Sequence, residues 1–191
     1  MNPLLINMLY RIIVLLVLMT FCFSGIAQES RIELKDVYIS NKLTDKAIQI
    51  GDPDSLLIDF GGLTSIDSIN PMEFINDQVV IYRFGDTYFE VSSKSRILSY
   101  RIRSSNIALE VKGKFSVSPC DHIDKISSAL EYEVNKAVLY NSKGVDYLWV
   151  SIHFKHFNEL LGDHQIEDVK VNLKFDPLSK QLVEVHYWIR P

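Results

Sequence analysis

Near its end the chain alternates apolar and polar residues with a period of two, and this constrains the fold more than any other feature. Val169, Val171, Leu173 and Phe175 alternate with Asp168, Lys170, Asn172 and Lys174. Successive side chains of a strand point to opposite faces, so the pattern predicts a half-buried strand. Asp176-Pro177-Leu178-Ser179-Lys180 has the composition of a turn. Val183, Val185, Tyr187 and Ile189 then alternate with Glu184, His186 and Trp188, which completes a hairpin.

Similar signals recur upstream. Gln78 to Phe84, Thr87 to Ser92 and Arg96 to Arg103 read as strands, separated by turns at Gly85-Asp86 and Ser93-Lys94-Ser95. Val145 to Phe154 reads as a strand after the Asn141-Ser142-Lys143-Gly144 turn. Two helix starts stand out. Asp52-Pro53 and Ser118-Pro119 each place a capping side chain before a proline at the first helical position. Asp121 adds a capping-box-like spacing from Ser118. The two starts lie 66 residues apart, and at that offset Leu57 matches Ile123 and Phe60 matches Ile126. These matches predict an α+β fold of two tandem helix-plus-antiparallel-sheet repeats, 28–106 and 107–191, packed into one compact unit. Glu131 to Tyr140 fits either an extension of the second helix or an edge strand. Gly61 to Asp77 reads as a long connection with room for a short helix.

The N-terminal segment has a different character. Arg11 is its only charged side chain before Glu29, and an apolar run from Ile12 to Phe23 leads to Ser24-Gly25-Ile26-Ala27. Positive start, short apolar middle and small-residue exit are the parts of a secretory signal peptide, so 1–27 reads as an export signal. The run is shorter than the roughly 20 residues needed to cross a bilayer. The expectation is an exported protein, periplasmic or extracellular, with no stable membrane span after cleavage; the alternative is a retained anchor. Cleavage leaves 164 of the 191 residues, with 19 basic and 24 acidic side chains. That acidic balance argues against general nucleic-acid binding. Cys120 is then the sole cysteine, so no intrachain disulfide is expected and packing must hold the fold.

A capped helix followed by strands carrying Tyr82-Arg83-Phe84 or Tyr147-Leu148-Trp149 resembles the unit of the small outer-membrane assembly lipoproteins (SmpA/OmlA). In tandem it resembles the β-lactamase inhibitory proteins, whose two copies present a concave sheet to an enzyme. The resemblance covers most of residues 48–190 and implies the architecture. The chain departs from the inhibitors in lacking disulfides and from the lipoproteins in lacking a convincing lipid-attachment cysteine.

Catalytic motifs are sparse. His153, His156 and His164 lie near Glu159, Asp163 and Glu167, but no pair has the i, i+4 spacing of a helical zinc motif. Cys120 is expected at the second position of the helix begun by Pro119, where a helix dipole lowers a thiol pKa. Asp52, Asp54 and Asp59 lack the glycine and glutamate of a calcium loop. Arg96, Arg101 and Arg103 make a small basic cluster suited to a solvated face or an acidic partner. No catalytic residue, metal site or cofactor is assigned. On the last strands, Tyr147, Trp149 and His153 share a parity, as do His186 and Trp188. If these strands join one sheet, the five residues form a polar-aromatic surface of the kind that binds protein partners. The alternative is that the face is covered.

The sequence therefore predicts an exported, non-enzymatic protein-binding module, of inhibitor or immunity type. The alternatives are an envelope assembly component and a hydrolase or metal enzyme using Cys120 or the histidines. The partner and oligomeric state are not legible. Intact-mass and N-terminal analysis of protein recovered from the envelope or medium should give a chain beginning at Gln28; a mass that retains residues 1–27 contradicts the cleavage.

Overall fold

Burial alternates along most of the described strands, as the sequence pattern requires. The computed structural model describes residues 32–49, 55–69, 78–92, 97–158 and 163–188, with Ile69, 155–158, 163–169 and Trp188 described by backbone alone. The strands are β1 (Ile32–Glu33), β2 (Val37–Asn41), β3 (Lys46–Gln49), β4 (Ser65–Ile69), β5 (Val79–Phe84), β6 (Thr87–Ser92), β7 (Ile97–Ile102), β8 (Ile107–Val111), β9 (Phe115–Val117), β10 (Val138–Ser142), β11 (Val145–Asn158), β12 (Asp163–Phe175) and β13 (Leu182–Trp188). Among the described residues three short α-helices, α1 (Ser55–Asp59), α2 (Asp124–Ser127) and α3 (Glu131–Asn135), and a 3-10 turn at Leu34–Asp36 complete the set.

Nine strands form one sheet in the order β1-β11-β12-β13-β7-β6-β5-β4, with β10 also paired to β11; the other four form a second sheet, β3-β2-β8-β9. All pairings are antiparallel except β1 with β11. The core-facing residues of both sheets belong to a single buried cluster. Val150, Leu173, Val185, Ile102 and Phe89 come from the large sheet, and Val37, Ile39, Leu109 and Val117 from the small one. Leu57 and Phe60 from the α1 region, with Ile123, Ile126 and Leu130 near α2, join the same cluster.

Aromatic rings fill its centre. Phe60, Phe84 and Phe89 meet edge-to-face at centroid separations of 5.6 to 6.1 Å. Phe89 touches Tyr100, which stacks on Tyr187 at 4.8 Å. Tyr187 sits directly opposite Tyr100 in the β13–β7 register, and Tyr100 directly opposite Phe89 in β7–β6, so backbone pairing fixes these contacts. Buried Asn41 joins the small sheet to the end of α1: its Nδ2 donates to the carbonyls of Phe60 at 2.9 Å and Gly61 at 3.0 Å.

Turn chemistry sets the registers that position the polar face. Lys143 and Gly144 both have positive φ between Ser142 and Val145, the geometry of a two-residue hairpin whose twist matches its strands. At the β12–β13 turn, Asp176 Oδ1 accepts from the backbone N–H groups of Leu178 and Ser179.

The expected α+β class is corrected by this architecture. The fold is mostly β, and each described α-helix has only four or five residues. The predicted second helix cannot start at Pro119, because Cys120 has φ 76° and breaks the helical path. Asp121 does bind Ser118, accepting from its backbone N–H at 2.8 Å and its hydroxyl at 3.0 Å, but this closes a turn instead of a helix. The backbone N–H groups of Cys120 and Ile123 donate to the carbonyls of Leu182 and Lys180, and that of Leu182 donates to the Asp121 carbonyl, tying this turn to residues 180–182 of the last hairpin. Nor do two helix-plus-sheet repeats stand side by side. β8 pairs with β2, and β13 with β7, so strands from both halves interleave in both sheets. Matching at Leu57/Ile123 and Phe60/Ile126 reflects a shared need to bury one turn of side chains. The Asp52-Pro53 pair lies outside the described residues. Lys155 to Gln165, read as an insertion, lengthens the β11–β12 hairpin where it is described, with Asn158 opposite Asp163.

Phe89 packs on Phe60 just after α1, Phe84 of β5 and Tyr100 of β7, so Phe89→Ala should destabilise the protein by about 3–5 kcal/mol. Denaturant unfolding monitored by circular dichroism measures this; a loss under about 1 kcal/mol contradicts a core organised around that ring.

Candidate functional site

The face of the large sheet opposite the core is built by strand parity. Three cross-strand rows can be followed from the registers. One runs Val138, Trp149, Lys174, Glu184. The next runs Ser151, Asn172, His186, Arg101, Tyr88, Arg83, Ser65. The third runs His153, Lys170, Trp188, Ser99, Glu90, Ile81, Asp67. Tyr140 stands opposite Tyr147, two residues before Trp149 on β11. The five residues singled out from the sequence, Tyr147, Trp149, His153, His186 and Trp188, thus hold positions on one side of one sheet. β12 lies between their two strands, and Trp188 is placed by backbone register alone. His153 is exposed, while Tyr147, Trp149 and His186 are partly exposed.

The electrostatics of this face centre on Glu184. Its side chain is 4% exposed and meets Lys174 Nζ at 2.5 Å and Arg103 Nη2 at 2.7 Å. Burial alone would raise its pKa, but the hydrogen bonds and charges of Lys174 and Arg103 outweigh that and hold the carboxyl below its usual value. Arg103 is held above its ordinary value, chiefly by its bond to Glu184. Lys174 is shared with aromatic rings: its ammonium lies 5.2 Å from the Trp149 centroid and 5.9 Å from that of Tyr147. Tyr140 in turn packs on Trp149 at 4.5 Å. Farther along, Arg83 and Arg101 both lie over Tyr88, and Arg83 pairs with Asp67 at 2.9 Å. Burial raises the Tyr88 pKa more than the Arg101 charge lowers it. Among the described residues of this face, Arg83, Arg101, Arg103, Lys170 and Lys174 outnumber Asp67, Glu90 and Glu184. The face is therefore basic on a chain whose net charge is −4.

Two polar atoms on this face are buried without a hydrogen-bond partner, Trp149 Nε1 and His186 Nδ1. Burial lowers the His186 pKa from 6.5 to about 4, helped by the positive charges of Arg101 and Lys174. This imidazole is neutral at physiological pH.

The other candidates are dispersed. His153 stands opposite Lys170, whereas His164 stands opposite Phe157, four positions farther along β11, or about 13 Å of strand. His156 stands opposite Gln165. No group of three His, Cys, Asp or Glu side chains among the described residues converges as a metal site requires. Cys120 is exposed in the turn before α2, not on a helix, and the His122 imidazole is engaged with Asp124 at 3.0 Å. Asp59 is exposed at the end of α1. Asp52, Asp54 and Arg96 lie outside the described residues. Arg101 and Arg103 do share the polar face.

Sequence reasoning missed Tyr140, Tyr88 and the Lys174–Glu184–Arg103 cluster. Lys174 and Glu184 were visible as polar positions of the hairpin. Their partner Arg103 becomes visible only once β13 is known to pair with β7.

The chain matches no family model and no curated protein. Among solved structures it is similar to an extracellular protein containing an SCP domain from Bacillus anthracis str. Ames, at 14% identity and a TM-score of 0.38. The likeness covers 73% of this chain and 43% of that one. A likeness at that level assigns neither fold nor function. No helix among the described residues is long and apolar enough to cross a membrane.

The face has a pH signature. With a native pKa near 4 against 6.5 in the unfolded chain, His186 takes up a proton on unfolding throughout that window. Stability is then greatest above pH 6.5 and falls as pH drops toward 4. The Glu184 contribution is present above 4.5 and is lost only at lower pH. Denaturant unfolding should show a loss of about 1–2 kcal/mol between roughly pH 7 and 5, reduced from the full shift because the ring is partly exposed. His186→Gln should flatten that slope; an unchanged slope contradicts the assignment.

Proposed function

We propose that the protein is an exported, non-enzymatic binding module whose protein partner docks on the polar-aromatic face of the large sheet, in an inhibitor or immunity-type role. The observation that carries this reading is the arrangement of Tyr147, Trp149 and Lys174. Two large rings share one ammonium on a partly exposed sheet surface, on the same face as His153, Arg101 and Arg103. Trp, Tyr and Arg side chains are enriched among the few residues that carry most of the energy at protein interfaces. The indole N–H of Trp149, buried without a hydrogen-bond partner, is a donor that a partner acceptor can meet on docking.

The charge of the face selects the class of partner. Among its described residues cations outnumber carboxylates, and the Glu184 carboxylate is already engaged by Lys174 and Arg103. An acidic protein surface, with carboxylates reaching Arg101 and Lys170, complements it. The export reading rests on residues 1–27, with their basic start, short apolar run and small-residue exit.

Capture from the envelope fraction with tagged wild type and with Trp149→Ala/Trp188→Ala tests the proposal. The wild type should retain an acidic protein, and the folded double variant should lose it by at least about tenfold, as expected for removal of interface hot spots. Equal retention by a folded double variant, or no partner on the wild type, overturns the assignment.

A further inference from the structure

Strand β10 borders the polar-aromatic face and pairs, among the described strands, only with β11. No described strand takes its outer edge, whose backbone donors and acceptors can pair with a further strand. Natural sheets protect such edges with charges or by covering them. β4, at the other end of the large sheet, carries Asp67, and β3, at one edge of the small sheet, carries Lys46; β9, at its other edge, is uncharged but has Phe115 and Val117 buried. β10 carries no charge from Val138 to Ser142. Its side chains are instead apolar on both faces: Val138 is 61% exposed, Leu139 70% and Tyr140 47%.

We infer that β10 pairs with β10 of a second copy of this chain, extending the large sheet across a two-fold axis. The proposal goes beyond the partner-binding reading and stands without it. Charge argues for a copy as the occupant. The chain is acidic overall, yet an antiparallel pair centred on Leu139 opposes no like charges. It sets Leu139 against the second copy's Leu139, and Val138 against the second copy's Tyr140. Lys136 meets the second copy's Ser142, and Lys143 the second copy's Asn135. Apolar side chains thus face apolar ones on both sides of the new pair.

The geometry has a functional consequence. Directly opposed residues of an antiparallel pair point to the same face. The second copy's Val138 therefore adds to the ring cluster of Tyr140 and Trp149, which are 4.5 Å apart within one chain. Both polar-aromatic faces lie on the same side of the joined sheet, so the dimer is bivalent toward any partner that carries two matching surfaces.

Sedimentation of the purified mature chain across a dilution series, in reductant because Cys120 is exposed, tests the pairing. Wild type should sediment at twice the chain mass and dissociate on dilution. Leu139→Lys sets two ammonium groups against each other at the two-fold axis and should remain monomeric with an unchanged circular dichroism spectrum. Ile66→Lys, a change at another exposed apolar residue on β4, should leave the dimer intact. In a Cys120→Ser background, Leu139→Cys should form a disulfide-linked dimer on oxidation. A wild type that is monomeric throughout, or a Leu139→Lys variant that still dimerises, overturns the proposal. Capture of the envelope partner by monomeric Leu139→Lys, lost in Trp149→Ala/Trp188→Ala, separates the edge from the face; capture lost with Leu139→Lys from a monomeric wild type gives the edge to that partner and also overturns self-pairing.

Discussion

Antiparallel pairing of β13 with β7 is the constraint on which the rest of the structure depends. It joins the last hairpin to the central meander and makes one nine-stranded sheet. On the core side it stacks Tyr187 on Tyr100, and through Phe89 links that stack to Phe60 and Phe84. On the opposite side the same register brings Glu184 to Arg103, beside Lys174 from β12. One backbone ladder thus fixes both the centre of the core and the electrostatic centre of the candidate face.

The two sides of the sheet are held by different physics. Apolar and aromatic burial holds the core side, where apolar residues of similar volume can replace one another at modest cost. On the other side a carboxylate is nearly removed from water, which is unfavourable unless it is paired and hydrogen-bonded. Lys174 and Arg103 meet that requirement, and Lys174 is anchored in turn beside Trp149 and Tyr147. Removal of either cation leaves Glu184 poorly paired, so the rings and charges of the face behave as one coupled unit.

Much of the strand pattern was legible because period two survives in individual segments. The hairpin of Val169–Phe175 and the strand from Val183, the meander from Gln78, and the strand from Val145 follow directly from residue alternation; Ile189, the last apolar position of that alternation, lies outside the described residues. Helix content was not legible. Ser118-Pro119 and Asp121 have the composition of a capped helix start, yet the same groups close a turn once Cys120 takes a left-handed backbone. Pairing across the halves was hidden for a different reason: β2 with β8 and β13 with β7 are long-range contacts, and alternation marks a buried face without naming the strand beside it. The polar-aromatic positions were read from parity alone, while the Glu184 cluster and Tyr140 required the registers.

The central claim is that this continuous face, and not the small sheet, meets the partner. Amide hydrogen exchange on the protein, free and bound to the captured partner, measures this most directly. The account predicts new protection concentrated in β11, β12 and β13, with β2, β3, β8 and β9 unchanged. Protection confined to those four strands of the small sheet would contradict it.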